Sequence, residues 1–173
     1  TDGAKNPCLH ALSKQTGEVK WRADRDSKPR KNFSFCTPLV IEVHREARII
    51  SPARDYVFAY DTKGKQLWKF NYPNGYSVVT RPVFDRGIIY VSSGYDSPVL
   101  YAIKVGGSGD ITKTHLVWKT RRGVPRNSSV VVTKGLLFMA SDNGVVSCLD
   151  SQTGALKWME RVAGACSPSL LYA

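Results

Sequence analysis

Acidic residues are scarce in this chain of 173 residues: 14 Asp and Glu stand against 25 Lys and Arg, a formal charge of +11. No Asp-rich calcium loop is present. Histidine is limited to His10, His44 and His115. They lie far apart and lack metal-ligand spacing, which points to packing or surface roles. The four cysteines, Cys8, Cys36, Cys148 and Cys166, form no CxxC and no adjacent pair. Zinc ligation and thioredoxin-like chemistry therefore have no support, while disulfides and the redox compartment stay open. No stretch approaches the ~20 apolar residues of a membrane-spanning helix. Thr1 to Pro7 lack the apolar core of a leader, so no signal peptide is visible. A 42% apolar and 23% charged composition is that of an ordinary globular chain. Its basic excess attracts nucleic acid, anionic lipid or acidic glycans, or serves solubility.

What the sequence does contain is a repeat. Tryptophans at 21, 68, 118 and 158 are spaced by 47, 50 and 40 residues. That is blade length in a propeller of four-stranded sheets. Aligned on them, Leu9 to Trp21, Val57 to Trp68 and Val146 to Trp158 share one pattern: an alternating strand, an Asp-x-x-Thr-Gly type of turn, and a second strand ending in tryptophan. In the turn, the acid accepts local backbone bonds and glycine supplies a positive φ. The tryptophan ring is sized to fill the space between neighbouring blades. The copy from Leu100 to Trp118 carries an insertion, Gly106-Gly107-Ser108-Gly109-Asp110. These glycines suggest a flexible turn and no phosphate cradle, because no helix follows. Likewise Ser92-Ser93-Gly94-Tyr95-Asp96-Ser97 is a loop and no nucleophile elbow.

Upstream of each hairpin lies a second pair of strands: Thr37–Ile41 with Ala47–Ser51, Arg81–Phe84 with Gly87–Ser92, and Ser128–Val132 with Gly135–Ala140. The predicted fold class is all-β, a β-propeller of four-stranded antiparallel blades, strands A to D running from hub to rim. Three complete blades (about 33–76, 77–123 and 124–163) follow a partial blade at 1–32. A further blade starts at 164–173, where Cys166-Ser167-Pro168 matches Thr37-Pro38 and Arg81-Pro82. Propellers have four to eight blades, so the expectation is a fragment of a larger protein. A partly recorded chain and a four-bladed ring whose terminal pieces share one blade are the alternatives.

At these residues the chain resembles the pyrroloquinoline-quinone-like repeat propellers. Tyr72 to Val79 and Ser141 to Asp150 resemble a bacterial, planctomycete-type subgroup of that family. The resemblance covers essentially the whole chain. It implies an exported protein, periplasmic or extracellular, whose wider family includes an outer-membrane assembly lipoprotein and quinone-dependent dehydrogenases. A dehydrogenase of this type needs the quinone at the ring's centre, a divalent cation held by carboxylate and amide oxygens, and a base. Alcohol dehydrogenases of this kind also carry an adjacent Cys-Cys, which is missing here, and most acids fall in C–D turns (Asp61, Asp110, Asp150). No catalytic, cofactor-binding or metal residue is therefore assigned and no cofactor is expected. A dehydrogenase whose active-site blades lie elsewhere is the alternative.

The favoured expectation is a protein-binding or scaffold module. In a blade, the D–A and B–C connections share one rim. The first D–A connection, Arg22 to Asn32, carries Arg25, Lys28, Arg30 and Lys31; the second is aromatic, with Tyr72 and Tyr76 beside Arg81; the third adds Arg121, Arg122 and Arg126; the fourth adds Arg161 beside Glu160. One basic, partly aromatic rim is predicted, suited to another protein or an acidic ligand. Nucleic acid is disfavoured, since no motif for it appears.

Overall fold

The computed structural model describes residues 6–25, 33–73 and 75–173. Among them every regular element is a strand. β1 (Cys8–Leu12) and β2 (Val19–Asp24) form a two-stranded sheet. β3 (Leu39–Val43), β4 (Glu46–Pro52), β5 (Tyr56–Tyr60) and β6 (Gln66–Asn71) make the second sheet. The third contains β7 (Val83–Asp85), β8 (Ile88–Ser92) and β9 (Leu100–Lys104), then β11 (Leu116–Thr120); the short β10 (Gly109–Asp110) leaves it to join the second. β12 (Val131–Thr133), β13 (Leu136–Ala140), β14 (Val145–Asp150) and β15 (Leu156–Arg161) form the fourth. Neighbours within each blade pair antiparallel in chain order, the A-to-D arrangement expected of a propeller.

Period-two alternation decides how the blades stack, because successive side chains leave opposite faces of a strand. In the third blade Ile89, Val91, Tyr101 and Ile103 enter one core with Ile50, Val57, Ala59 and Phe70 of the second. Their strand neighbours Ile88, Tyr90, Leu100 and Ala102 enter another with Leu137, Met139 and Leu149 of the fourth. Phe58 and Tyr60 turn the other way, towards Leu9 and Ala23 of the first sheet. A middle blade thus buries both faces, and each fully buried large apolar side chain contributes about 1.5–3 kcal/mol. The A–B hairpins close through pairs of positive-φ residues, His44-Arg45 (52° and 65°), Arg86-Gly87 (46° and 80°) and Lys134-Gly135 (49° and 81°). Such turns match the right-handed twist of the strands they join.

Tryptophans lock the junctions. The Trp21 indole N–H donates to Thr62 O and that of Trp118 to Ser151 O, each at 2.9 Å. Both acceptors lie in the next blade's C–D turn. The glycine of that turn lies against the ring so closely that an added Cβ would sit 2.7 Å from Trp21 at Gly64 and 2.6 Å from Trp118 at Gly154. The turn itself is held by its acid: Asp150 Oδ1 accepts from Gln152 N (3.0 Å) and Thr153 N (2.9 Å), and Asp61 Oδ1 accepts from Lys63 N (2.8 Å) and Lys65 N (2.9 Å).

The insertion in the third blade differs from the flexible turn expected of it. Three glycines at positive φ (122° at Gly106, 74° at Gly107, 69° at Gly109) let the chain double back. β10 then pairs parallel with β6 of the second blade, Gly109 opposite Trp68 and Asp110 opposite Lys69. Ile111, fully buried, anchors the excursion in the second-to-third core.

Near the hub, the starts of successive inner strands are tied together. Cys36 Sγ donates to Thr80 O (3.0 Å), and Arg81 N donates to Ser129 Oγ (3.0 Å). Ser128 Oγ donates to Pro168 O and Ser129 N to Ser169 Oγ, both at 2.9 Å. Residues 164–173 form no strand, yet these bonds place them beside the fourth blade as that blade's own inner strand lies beside the third.

Candidate functional site

The D–A and B–C connections do share a rim. Tyr76, in the connection after β6, bridges Gly94, in the loop after β8, and Tyr95 N donates to Tyr76 O at 2.8 Å. The loop after β11 meets the turn between β13 and β14: Arg126 N donates to Asp142 Oδ2 and Asn127 Nδ2 to Asp142 Oδ1, both at 2.8 Å. Between these connections opens a cleft of about 580 Å³. Arg121, Arg126 and Asp142 stand at its edge, and Val124, Val145 and Met159 supply apolar wall.

The electrostatics of this cleft are one-sided. Both oxygens of Asp142 are already occupied by a backbone N–H and an amide. The Arg126 guanidinium lies 5.3 Å from the Tyr95 ring centroid, a cation–π arrangement, and forms no ion pair among the described residues. Arg121 forms none there either. Its charge reaches the Tyr101 phenol, which burial raises above the usual tyrosine range and Arg121 draws partly back. Arg161 Nη1 donates to Asn143 O at 2.6 Å, holding a third guanidinium beside the same turn. Three guanidinium groups against the one carboxylate of Asp142 leave an excess of positive charge over a partly apolar recess, where field lines concentrate.

Of the rim residues expected from sequence, the structure brings Arg121 and Arg126 into one cleft. Arg122 is exposed next to them, its N–H donating to Thr120 Oγ1 (3.2 Å), and does not line it. Arg81 is exposed at the start of the third inner strand, bonded to Ser129. Lys28, Arg30 and Lys31 lie outside the described residues. Arg25 departs from expectation: it is 7% exposed, stacked 5.7 Å from the Phe58 ring centroid and bonded to Ser51 Oγ. Its long side chain bridges the first and second sheets, where the aromatic surface and the hydroxyl compensate its loss of water. Tyr72 is likewise interior, stacked on Tyr101 with centroids 6.0 Å apart and its hydroxyl donating to Ala53 O. Tyr95 lies against the Arg126 guanidinium beside the cleft and does not line it. Sequence reasoning missed Asp142 as a cleft member and Tyr95 as the ring against Arg126. Asp142 stands in a Ser-Asp-Asn-Gly turn, a signal for a B–C turn but none for the neighbour it serves. Among the described residues no cluster of His, Cys, Asp and Glu could hold a metal ion.

Residues 108–172 match the family model of outer membrane protein assembly factor BamB. No curated protein matches the sequence. Among solved structures, BamB from Moraxella catarrhalis is similar at 17% identity over 84% of this chain and 41% of its own, with a TM-score of 0.55. A europium-containing methanol dehydrogenase is similar at 14% identity over 97% of this chain and 42% of its own, with a TM-score of 0.71. A protein of unknown function from Bacteroides caccae is similar at 16% identity over 99% of this chain and 59% of its own, with a TM-score of 0.58. The chain therefore spans about two-fifths of the length of the first two. At these identities the structures speak for the fold alone. Joined to the family match over residues 108–172, they support a β-propeller fold built from pyrroloquinoline-quinone-like repeats.

Proposed function

We propose that this chain serves as a non-catalytic, protein-binding or scaffold propeller module in an exported, periplasmic or extracellular bacterial setting, and that the cleft between its third and fourth blades receives an acidic partner. The observation that carries this reading is the pair Arg121 and Arg126, both exposed on one recess in which Asp142 is the one lining acid among the described residues. An acidic side chain entering there exchanges water for charge-assisted bonds to planar guanidinium groups.

The test is a fluorescence-anisotropy titration with a labelled ten-residue peptide of alternating Glu and Ala. Binding weakened roughly tenfold or more in Arg121→Glu/Arg126→Glu, a change of at least about 1.4 kcal/mol, supports the cleft. Arg86→Glu/Lys134→Glu supplies the control, since Arg86 and Lys134 make the same total charge change in exposed A–B turns on the opposite rim. Equal weakening by both would reduce the effect to net charge and sink the assignment. A parallel titration with pyrroloquinoline quinone and calcium, followed by absorbance, is expected to show no saturable binding; stoichiometric binding would favour the dehydrogenase reading instead.

A further inference from the structure

Three tryptophans sit at blade junctions, and one of them lacks what the other two have. Trp21 and Trp118 each donate their indole N–H to a carbonyl of the next blade's turn at 2.9 Å. The indole N–H of Trp68, a residue only 3% exposed, donates to no group among the described residues. The cause is the insertion: the third blade's turn has moved outward to become β10, and the glycine that should lie on the ring is displaced. An added Cβ at Gly107 would meet His115 and Ile111, and one at Gly106 would meet nothing within 4 Å. What remains over Trp68 is a cavity of about 260 Å³, walled by Ile41, Ile50 and Leu67, roofed by Gly106 and Gly107, with Arg48 at its edge.

We propose that this cavity binds a small, uncharged, single-ring aromatic molecule carrying a carbonyl oxygen, such as an aromatic amide. The ring takes the apolar space that a packed turn fills at the other two junctions. The carbonyl takes the place of Thr62 O or Ser151 O before the indole N–H, a donor that no protein group among the described residues engages. The space equals roughly nine waters by liquid volume, which suits one ring and a short substituent. Arg48 is paired with Glu46, so the edge of the cavity offers no unpaired guanidinium to an anion. The site lies on the A–B and C–D rim, opposite the arginine cleft, and is independent of it.

The test is a titration of the protein with benzamide, followed by the 15N-indole N–H signals of its four tryptophans, with Trp68 assigned through Trp68→Phe. The expected result is a saturable shift of the Trp68 signal alone, a higher unfolding temperature with benzamide, and weaker binding of benzoate. Two separate filling variants, Val43→Phe and Leu67→Phe, are expected to weaken benzamide binding roughly tenfold or more, or about 1.4 kcal/mol. Three results overturn the proposal: no Trp68 shift up to about 10 mM benzamide, a Kd limit beyond which binding is under about 3 kcal/mol; equal shifts of all four indoles; or undiminished affinity in whichever filling variant folds.

Discussion

The junctions at Trp21 and Trp118 and the one at Trp68 use the same residue in the same strand position and end in opposite ways. At the first two, a glycine turn closes on the ring and hydrogen-bonds it. At the third, the inserted residues draw the turn off the ring and stitch it to the neighbouring sheet edge, so the tryptophan is covered from outside but not capped. A propeller junction is therefore not a property of the tryptophan alone. It needs a turn short enough to remain over the ring and a glycine there, since any side chain would collide with it.

The largest test of this contrast removes the rings. Trp68→Ala should destabilise by about 4 kcal/mol and Trp118→Ala by about 3, in urea unfolding, because Trp68 is the more deeply buried. Reversal of that order would show that the docked turn, and not burial, dominates junction energy. Next, Gly154→Ala combines a left-handed backbone (φ 73°) with a Cβ driven into Trp118, and should cost about 2–4 kcal/mol. Gly17→Ala has the same backbone strain (φ 76°) and open space around it, so about 1–2 kcal/mol is expected. Equal losses would remove the steric half of the argument.

A finer comparison is between Trp118→Phe and Trp68→Phe. The first gives up the bond to Ser151 O, about 0.5–1.5 kcal/mol beyond the shared loss of ring volume; the second has no such bond to lose. The smallest expected effect is on acid stability. Hydrogen bonds from Thr112 hold the Asp110 carboxyl below its ordinary range, and bonds from Thr153 do the same for Asp150. Because both values are lowered by folding, their contribution is complete above the ordinary carboxylate pKa and disappears as pH falls through the lowered one. Asp110→Asn and Asp150→Asn should therefore lower stability slightly at neutral pH, where that contribution is complete, and converge with the parent protein at acid pH, so that the acid limb of a stability-versus-pH curve flattens. An unchanged acid limb in both would show that these carboxyls do not couple to folding.

Much of the fold was legible because it depends on local rules. Alternation in Val57–Tyr60 and Ile88–Ser92 announces strands with two buried faces, and Asp150, Thr153 and Gly154 announce the turn that follows. The site was legible in part. Arg121 and Arg126 stand five residues apart in one loop, so their meeting needed little long-range information. Asp142 and Tyr95 come from two other loops, one in each adjoining blade, and nothing in their own surroundings marks their partners. Arg25 was misplaced for the related reason that arginine counts as a surface residue until an aromatic ring and a hydroxyl from another blade are found to receive it.

The amino-acid order by itself settled the repeat, the strand-and-turn grammar and the excess of positive charge, since each follows from side-chain size, backbone preference or ionisation within a few consecutive residues. Only the stacked blades decided which arginines face solvent, which acid is already engaged, and that the inserted turn of the third blade leaves an uncapped indole beneath it. Those outcomes depend on groups tens of residues apart along the chain, whose distances are set by packing between sheets.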